Sequence, residues 1–116
     1  MQIHQSAEDY LETILMLTQR MGRVRSIDVV NELGYTKASV SIAMKKLREN
    51  GYIAVDGEGN LTLLEPGREI AERIYSRHRL LTHFFVQLGV DEEVAAVDAC
   101  KAEHILSELT LEKIRE

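Results

Sequence analysis

"SIDVVNELGYTKASVSIAMKKLREN", residues 26–50, sets two short amphipathic patterns on either side of one glycine. In the first, Ile27, Val30 and Leu33 recur at helical spacing behind Ser26, an expected N-cap. Gly34 permits a sharp turn. The second pattern opens at Thr36, whose hydroxyl can cap a helix, and carries Val40, Ala43, Met44 and Leu47 inward until Asn50 and Gly51 close it. Two short helices joined by a glycine turn predict a helix-turn-helix.

Working outward, "YIAV" and "LTLL" flank "DGEGN" at residues 52–64, two short β-prone runs around a glycine-rich turn, which predicts a β-hairpin. A hairpin directly after the second helix of a helix-turn-helix is a wing. Its two glycines would let the loop approach a phosphate backbone closely. Upstream, Tyr10, Leu11, Ile14, Leu15 and Leu17 form one buried helix face over residues 7–21, with Ser6 as cap and Gly22 as stop. Downstream, Pro66 and Gly67 punctuate the chain before a long helix to about Gln87. Its stripe is Ile70, Ile74, Leu81 and Phe85, broadened by Tyr75, Leu80, Phe84 and Leu88. After Gly89 a further helix is expected from Asp91 through "EEVAAVDACKAEHILSEL", with Val94, Val97, Leu106 and Leu109 available for burial, and then a short last piece, "TLEKIRE". The fold class is therefore mainly α. Residues 1–65 form an N-terminal winged helix-turn-helix and residues 66–116 a second, helical domain.

Composition narrows the function classes. At 116 residues the chain is expected to be too short for two independent cores, and 45% apolar with 28% charged residues indicates an ordered globule. No apolar run approaches the roughly 20 residues that span a bilayer, and "MQIHQSAEDY" lacks the features of a secretory signal. A single cysteine precludes an intrachain disulfide and suits a reducing cytoplasm. The net charge of −5 argues against nucleic acid only in sum. Between Thr36 and Asn50, Lys37, Lys45, Lys46 and Arg48 meet a single acid, Glu49. No HExxH, glycine-rich phosphate loop or nucleophile elbow is present, so no enzyme is expected.

The remaining chemistry lies in "DACKAEHIL", residues 98–106. On a helix Cys100, Glu103 and His104, at i, i+3 and i+4, share a face and offer thiolate, carboxylate and imidazole, the donors of a transition-metal site. A buried cysteine beside a solvated Glu/His pair fits the same spacing. Asp9 and Glu12 form a second pair on one face of the first helix, where they also suit a helix N-terminus, and His78 interrupts the long apolar stripe.

Together "AEDYLETILML", the winged helix, "SRHRLLTHFF" and "DACKAEHIL" resemble the DtxR/MntR family, the diphtheria-toxin-repressor and manganese-regulator family of metal-dependent transcriptional repressors, over nearly the whole chain. The resemblance implies a homodimer whose residues 66–116 serve dimerisation, a double-stranded DNA operator that is palindromic, and metal held between the two domains. By position, Asp9 and Glu12 look like the first-helix ligands of the manganese branch, where the iron branch has methionine in place of Asp9. His78 matches the manganese branch, and Glu103 and His104 match ligands of both branches. Cys100 stands where the manganese branch has glutamate and agrees with the iron branch. The iron branch's ancillary site would want ligands near Thr82 and Ala96, and the chain resembles a short form without the SH3-like domain. The implied cofactor is Fe(II) or Mn(II), with Zn(II) or Co(II) possible in vitro. If the helix opening at Thr36 enters the major groove, Thr36, Lys37, Ala38 and Ser39 lie in its first turn, where base edges and backbone are reached, and Ser41 and Lys45 lie further along, facing phosphates or bases. No small-molecule substrate and no membrane are implied. The alternative is a winged-helix regulator that senses an oxidant or small molecule through Cys100.

Overall fold

The structure is a computed structural model and describes residues 5–116. Residues 1–4, which open the first domain and carry part of the signal-peptide reading, lie outside the described residues. The elements run α1 (Gln5–Met21), α2 (Ser26–Leu33), α3 (Lys37–Glu49), β1 (Ile53–Val55), β2 (Leu61–Leu63), α4 (Glu65–Gln87), α5 (Glu92–Ala102) and α6 (Glu108–Arg115). No described helix is long and apolar enough to cross a membrane. The chain divides into two compact units, residues 1–72 and 73–116.

In the first unit α1 packs on α2 and β2, α2 on α3, and α3 on β1. Leu11, Ile14, Val24, Val29, Val40, Leu47 and Ile53 are all but sealed from solvent and form its core. Gly34 makes the helix-turn-helix corner in the left-handed region at φ 73°, and its N–H donates to Val30 O at 2.8 Å. Thr36 caps α3 as expected, its Oγ1 accepting from Ser39 N–H at 3.1 Å.

The wing pairs β1 and β2 antiparallel with Ile53 opposite Leu63 and Val55 opposite Leu61. Its tip is closed by one side chain. Asp56 Oδ1 accepts from the backbone N–H groups of Glu58 and Asn60, both at 2.9 Å, and Oδ2 accepts from Asn60 Nδ2 at 3.0 Å. These bonds, the Asn60 contacts first, hold the Asp56 carboxyl below its ordinary pKa. Leu61 N–H also donates to Val24 O at 2.7 Å, which ties the turn end of the wing to the segment before α2. Gly67 lies where the first turn of α4 crosses Tyr52, the residue that leads into β1. A Cβ there would sit 2.2 Å from Tyr52 O, so only glycine permits the approach.

Three local expectations need correction. Ser6 lies inside α1, which is already helical at Gln5, and so is not its cap. Ser26 is the first helical residue of α2 rather than its cap; Arg25 holds that position because the Asp28 carboxylate accepts the Arg25 N–H at 2.9 Å. The buried face of α2 turns with it, so that Val29 is fully buried while Ile27 is 43% exposed.

In the second unit Leu81, Ala99 and Leu111 form a small buried cluster, with Leu80, Phe85, Ala102, Leu106 and Ile114 packed against it. The helix expected to run from Asp91 to Leu109 is two helices. It stops at Ala102 because the chain turns tightly, with Ile105 N–H donating to Ala102 O at 3.1 Å, and Ser107 then caps α6 by accepting from Thr110 N–H at 3.2 Å. Ala95 and Ala99 take the inward side of α5, whereas Val94, Val97 and Leu109 are exposed.

Candidate functional site

The second unit builds its polar centre around Glu103. This residue is the C-cap of α5, with helical φ −60° and ψ −22°, so its side chain keeps a helical direction although the helix has ended. Glu103 is fully buried. One carboxylate oxygen is hydrogen-bonded to His78 Nδ1 at 3.0 Å, and the other lies 3.4 Å from His104 Nε2. Cys100 Sγ is within 4.8 Å of a Glu103 carboxylate oxygen, and Cys100 itself is exposed. Arg77 fixes the turn: its Nη1 donates to Glu103 O at 3.2 Å, and its guanidinium pairs with Glu108. His78 is set by α4, where its carbonyl accepts from Thr82 Oγ1 at 2.8 Å.

Four of the six expected ligands therefore gather within residues 73–116. Their arrangement fits a cation. A buried carboxylate is costly unless positive charge or strong donors surround it, and Glu103 Oε1 makes no hydrogen bond among the described residues. Carboxylate oxygen, imidazole nitrogen and sulfur are together the donor set of a transition-metal ion.

Asp9 and Glu12 lie one turn apart on α1 in the first unit, Asp9 half-buried and Glu12 buried. Between them, Tyr10 places its ring edge-on to Tyr35 with centroids 5.9 Å apart. Burial, then Tyr35, then Asp9 raise the Tyr10 pKa.

Along α3 the structure leaves Thr36, Lys37, Ala38, Ser39, Ser41 and Lys45 all exposed. Beside that helix a cavity of about 270 Å³ is lined by Ser26, Ser41, Met44, Lys45, Arg48 and Val55. Arg48 and Ser26 were not among the expected DNA contacts, because only the fold brings the start of α2 beside the far end of α3. Ile42 was missed as well: it is 58% exposed on α3, where the apolar pattern named only the inward residues.

Family models decide what this combination belongs to. Residues 2–61 match the iron dependent repressor N-terminal DNA binding domain, and residues 64–116 match the iron dependent repressor metal binding and dimerisation domain. The chain belongs to the iron-dependent repressor family. Among its relatives within and around this family, an uncharacterised HTH-type transcriptional regulator of Methanocaldococcus jannaschii is 35% identical over 113 residues, 96% of this chain and 90% of that one. The HTH-type transcriptional regulator MntR of Bacillus subtilis is 35% identical over 109 residues, 94% of this chain and 77% of that one. A solved manganese-dependent transcriptional repressor in complex with manganese superposes with a TM-score of 0.84 at 29% identity, over 93% of this chain and 50% of that one. The chain thus spans about half the length of that solved neighbour. The iron-dependent repressor family is one of metal-dependent transcriptional regulators, not of enzymes, and this member carries both its DNA-binding and its metal-binding and dimerisation domains.

Proposed function

We propose that the protein represses metal-homeostasis genes by binding palindromic operators as a homodimer in the cytoplasm, with Fe(II) or Mn(II) as its signal. The observation that carries this reading is the buried Glu103 carboxylate flanked by His78 and His104, in the same chain as an exposed basic helix, α3. Asp9, Glu12, His78, Cys100, Glu103 and His104 are the proposed ligands. Thr36, Lys37, Ala38, Ser39, Ser41 and Lys45 are the proposed DNA contacts. Residues 1–65 are the reading domain and 66–116 the metal-binding and dimerisation domain.

A divalent ion supplies positive charge among carboxylates that otherwise repel one another. Asp9 and Glu12 bring ligands from the reading domain, and the other four bring them from the dimerisation domain. Their shared ligation restricts how the two reading heads of a dimer are held. Two α3 helices at successive major grooves, about 34 Å apart, then meet a palindromic operator together. Moving such a switch from mostly off to mostly on takes about 5 kcal/mol of preference for the competent form. The hard carboxylates favour Mn(II), while the Cys100 thiol draws the preference towards Fe(II).

The test is electrophoretic retardation of duplex DNA with Mn(II), Fe(II) or Zn(II), repeated on Cys100→Glu and Asp9→Met. Retardation that requires metal, with an altered metal preference in both variants, is the expected result. Retardation unchanged by a chelator would contradict it.

A further inference from the structure

Ile42 is the one large aliphatic side chain on the outer surface of α3, and the core makes no use of it. At 3.6 residues per turn it falls, with Ala38 one turn earlier, on the side of α3 opposite the buried Val40, Met44 and Leu47. Ser41, Lys45 and Arg48 flank that outer line on one side, along the cavity of about 270 Å³. Ser39 and Lys46 flank it on the other, both exposed. Cations and hydroxyls on the flanks suit phosphate oxygens, which position a helix without reading sequence. The side chain on the middle line is the one aimed at the groove floor.

An isolated exposed aliphatic residue is ordinary on a protein surface. This one is bracketed by three basic residues on a helix whose other outward positions are small or charged. Ile42 offers no hydrogen bond to any base edge. Facing guanine, cytosine or adenine, it would cover donors and acceptors without replacing their water. The thymine 5-methyl is the one apolar group that the major groove presents.

From this geometry we propose that Ile42 sets the base preference of the protein by packing against a thymine 5-methyl in each operator half-site, with Ala38 leaving room for it. The inference rests on the reading of α3 as the DNA-contacting helix. It adds a specificity residue to that reading.

The experiment begins with selection of duplexes from a random-sequence pool on full-length protein with Mn(II), followed by replacement of each enriched thymine with deoxyuridine, which removes only the methyl. Deoxyuridine at that position in a single half-site should weaken wild-type binding about three- to fivefold, the worth of one buried methyl-sized group. In Ile42→Ala that penalty should vanish, while Mn(II)-dependent retention of unselected duplex stays at the wild-type level. Ile42→Val keeps both γ carbons and loses only the δ-methyl, and should keep most of the penalty. A deoxyuridine penalty undiminished in Ile42→Ala, or no penalty at any position, overturns the inference while leaving DNA binding intact. Wild-type protein that retains no duplex with metal overturns the DNA-binding reading, and this inference falls with it.

Discussion

The two units solve burial differently. Residues 1–72 enclose large side chains from every element of the winged helix, from Leu11 and Ile14 on α1 to Ile53 on β1. Residues 73–116 rest on Leu81, Ala99 and Leu111, and leave Leu88, Val97, Ile105 and Leu109 each more than half exposed. Exposed apolar surface of this extent marks an association face. The first unit buries its large apolar side chains within itself, whereas the second, which lies within the family's metal-binding and dimerisation domain, leaves several of its own uncovered.

The sharpest way to break this contrast is Val97→Glu. A charge forced into an apolar interface without a partner costs about 3–5 kcal/mol. Gel filtration should show the apparent mass halved, and circular dichroism should show an intact winged helix. A dimer that persists in Val97→Glu would mean that Val97 lies outside the interface. Next in size is Leu81→Ala. The loss of about 2–5 kcal/mol typical of such truncations removes one of three members of the second unit's buried cluster, and denaturant unfolding should show that unit released first. Gly67→Ala tests the first unit at its closest backbone approach. The methyl clash with Tyr52 O should cost about 1–3 kcal/mol in thermal unfolding, whereas at an open helical site the same change would stabilise by up to about 1 kcal/mol. Thr36→Ala removes the α3 cap and should cost about 1 kcal/mol.

The smallest effect concerns pH at the wing. Because the folded pKa of Asp56 is lowered, its ionised form stabilises the tip above the ordinary carboxylate pKa, and that stabilisation is lost as pH falls through the lower folded value. Amide hydrogen exchange at Glu58 and Asn60 should therefore quicken, relative to the intrinsic rate, on acidification below about pH 4. In Asp56→Ala, which removes the acceptor, the exchange should be fast at neutral pH already.

The same contrast decides what was legible in the sequence. The helix-turn-helix and wing could be read because their punctuation is local: Gly34 turns, Thr36 caps, and "DGEGN" closes a hairpin whose strands fall within a residue of the expected runs. The slip at α2 came from a competing side chain, Asp28 in place of Ser26, which shifted the cap and the buried face together. The break between α5 and α6 carries no glycine or proline; only Ser107 marks it, and a serine within an apolar run reads as easily as a helix interior. Val94 and Val97 were named for burial because apolar spacing reports that a face is covered, but not whether the covering chain is its own.

At the candidate metal centre the i, i+3, i+4 spacing of Cys100, Glu103 and His104 was visible, yet the helix that justified it ends one residue before Glu103. Glu103 keeps its direction only because the C-cap remains helical. The His78–Glu103 contact spans 25 residues and had no local signal; the family resemblance supplied it. Thr36, Lys37, Ser39 and Lys45 were read from charge and hydroxyl content, whereas Ile42 was passed over because an apolar residue on a helix is ordinarily assigned to the core.

The central claim is that Glu103 and its imidazole neighbours hold the ion on which DNA binding depends. Anomalous diffraction from crystals grown with Mn(II) measures this most directly. The account predicts an ion about 2 Å from a Glu103 carboxylate oxygen, with imidazole nitrogen among its other ligands, and loss of both that ion and metal-dependent DNA retardation in Glu103→Gln. An ion bound away from Glu103, with retardation still requiring metal in Glu103→Gln, would contradict it.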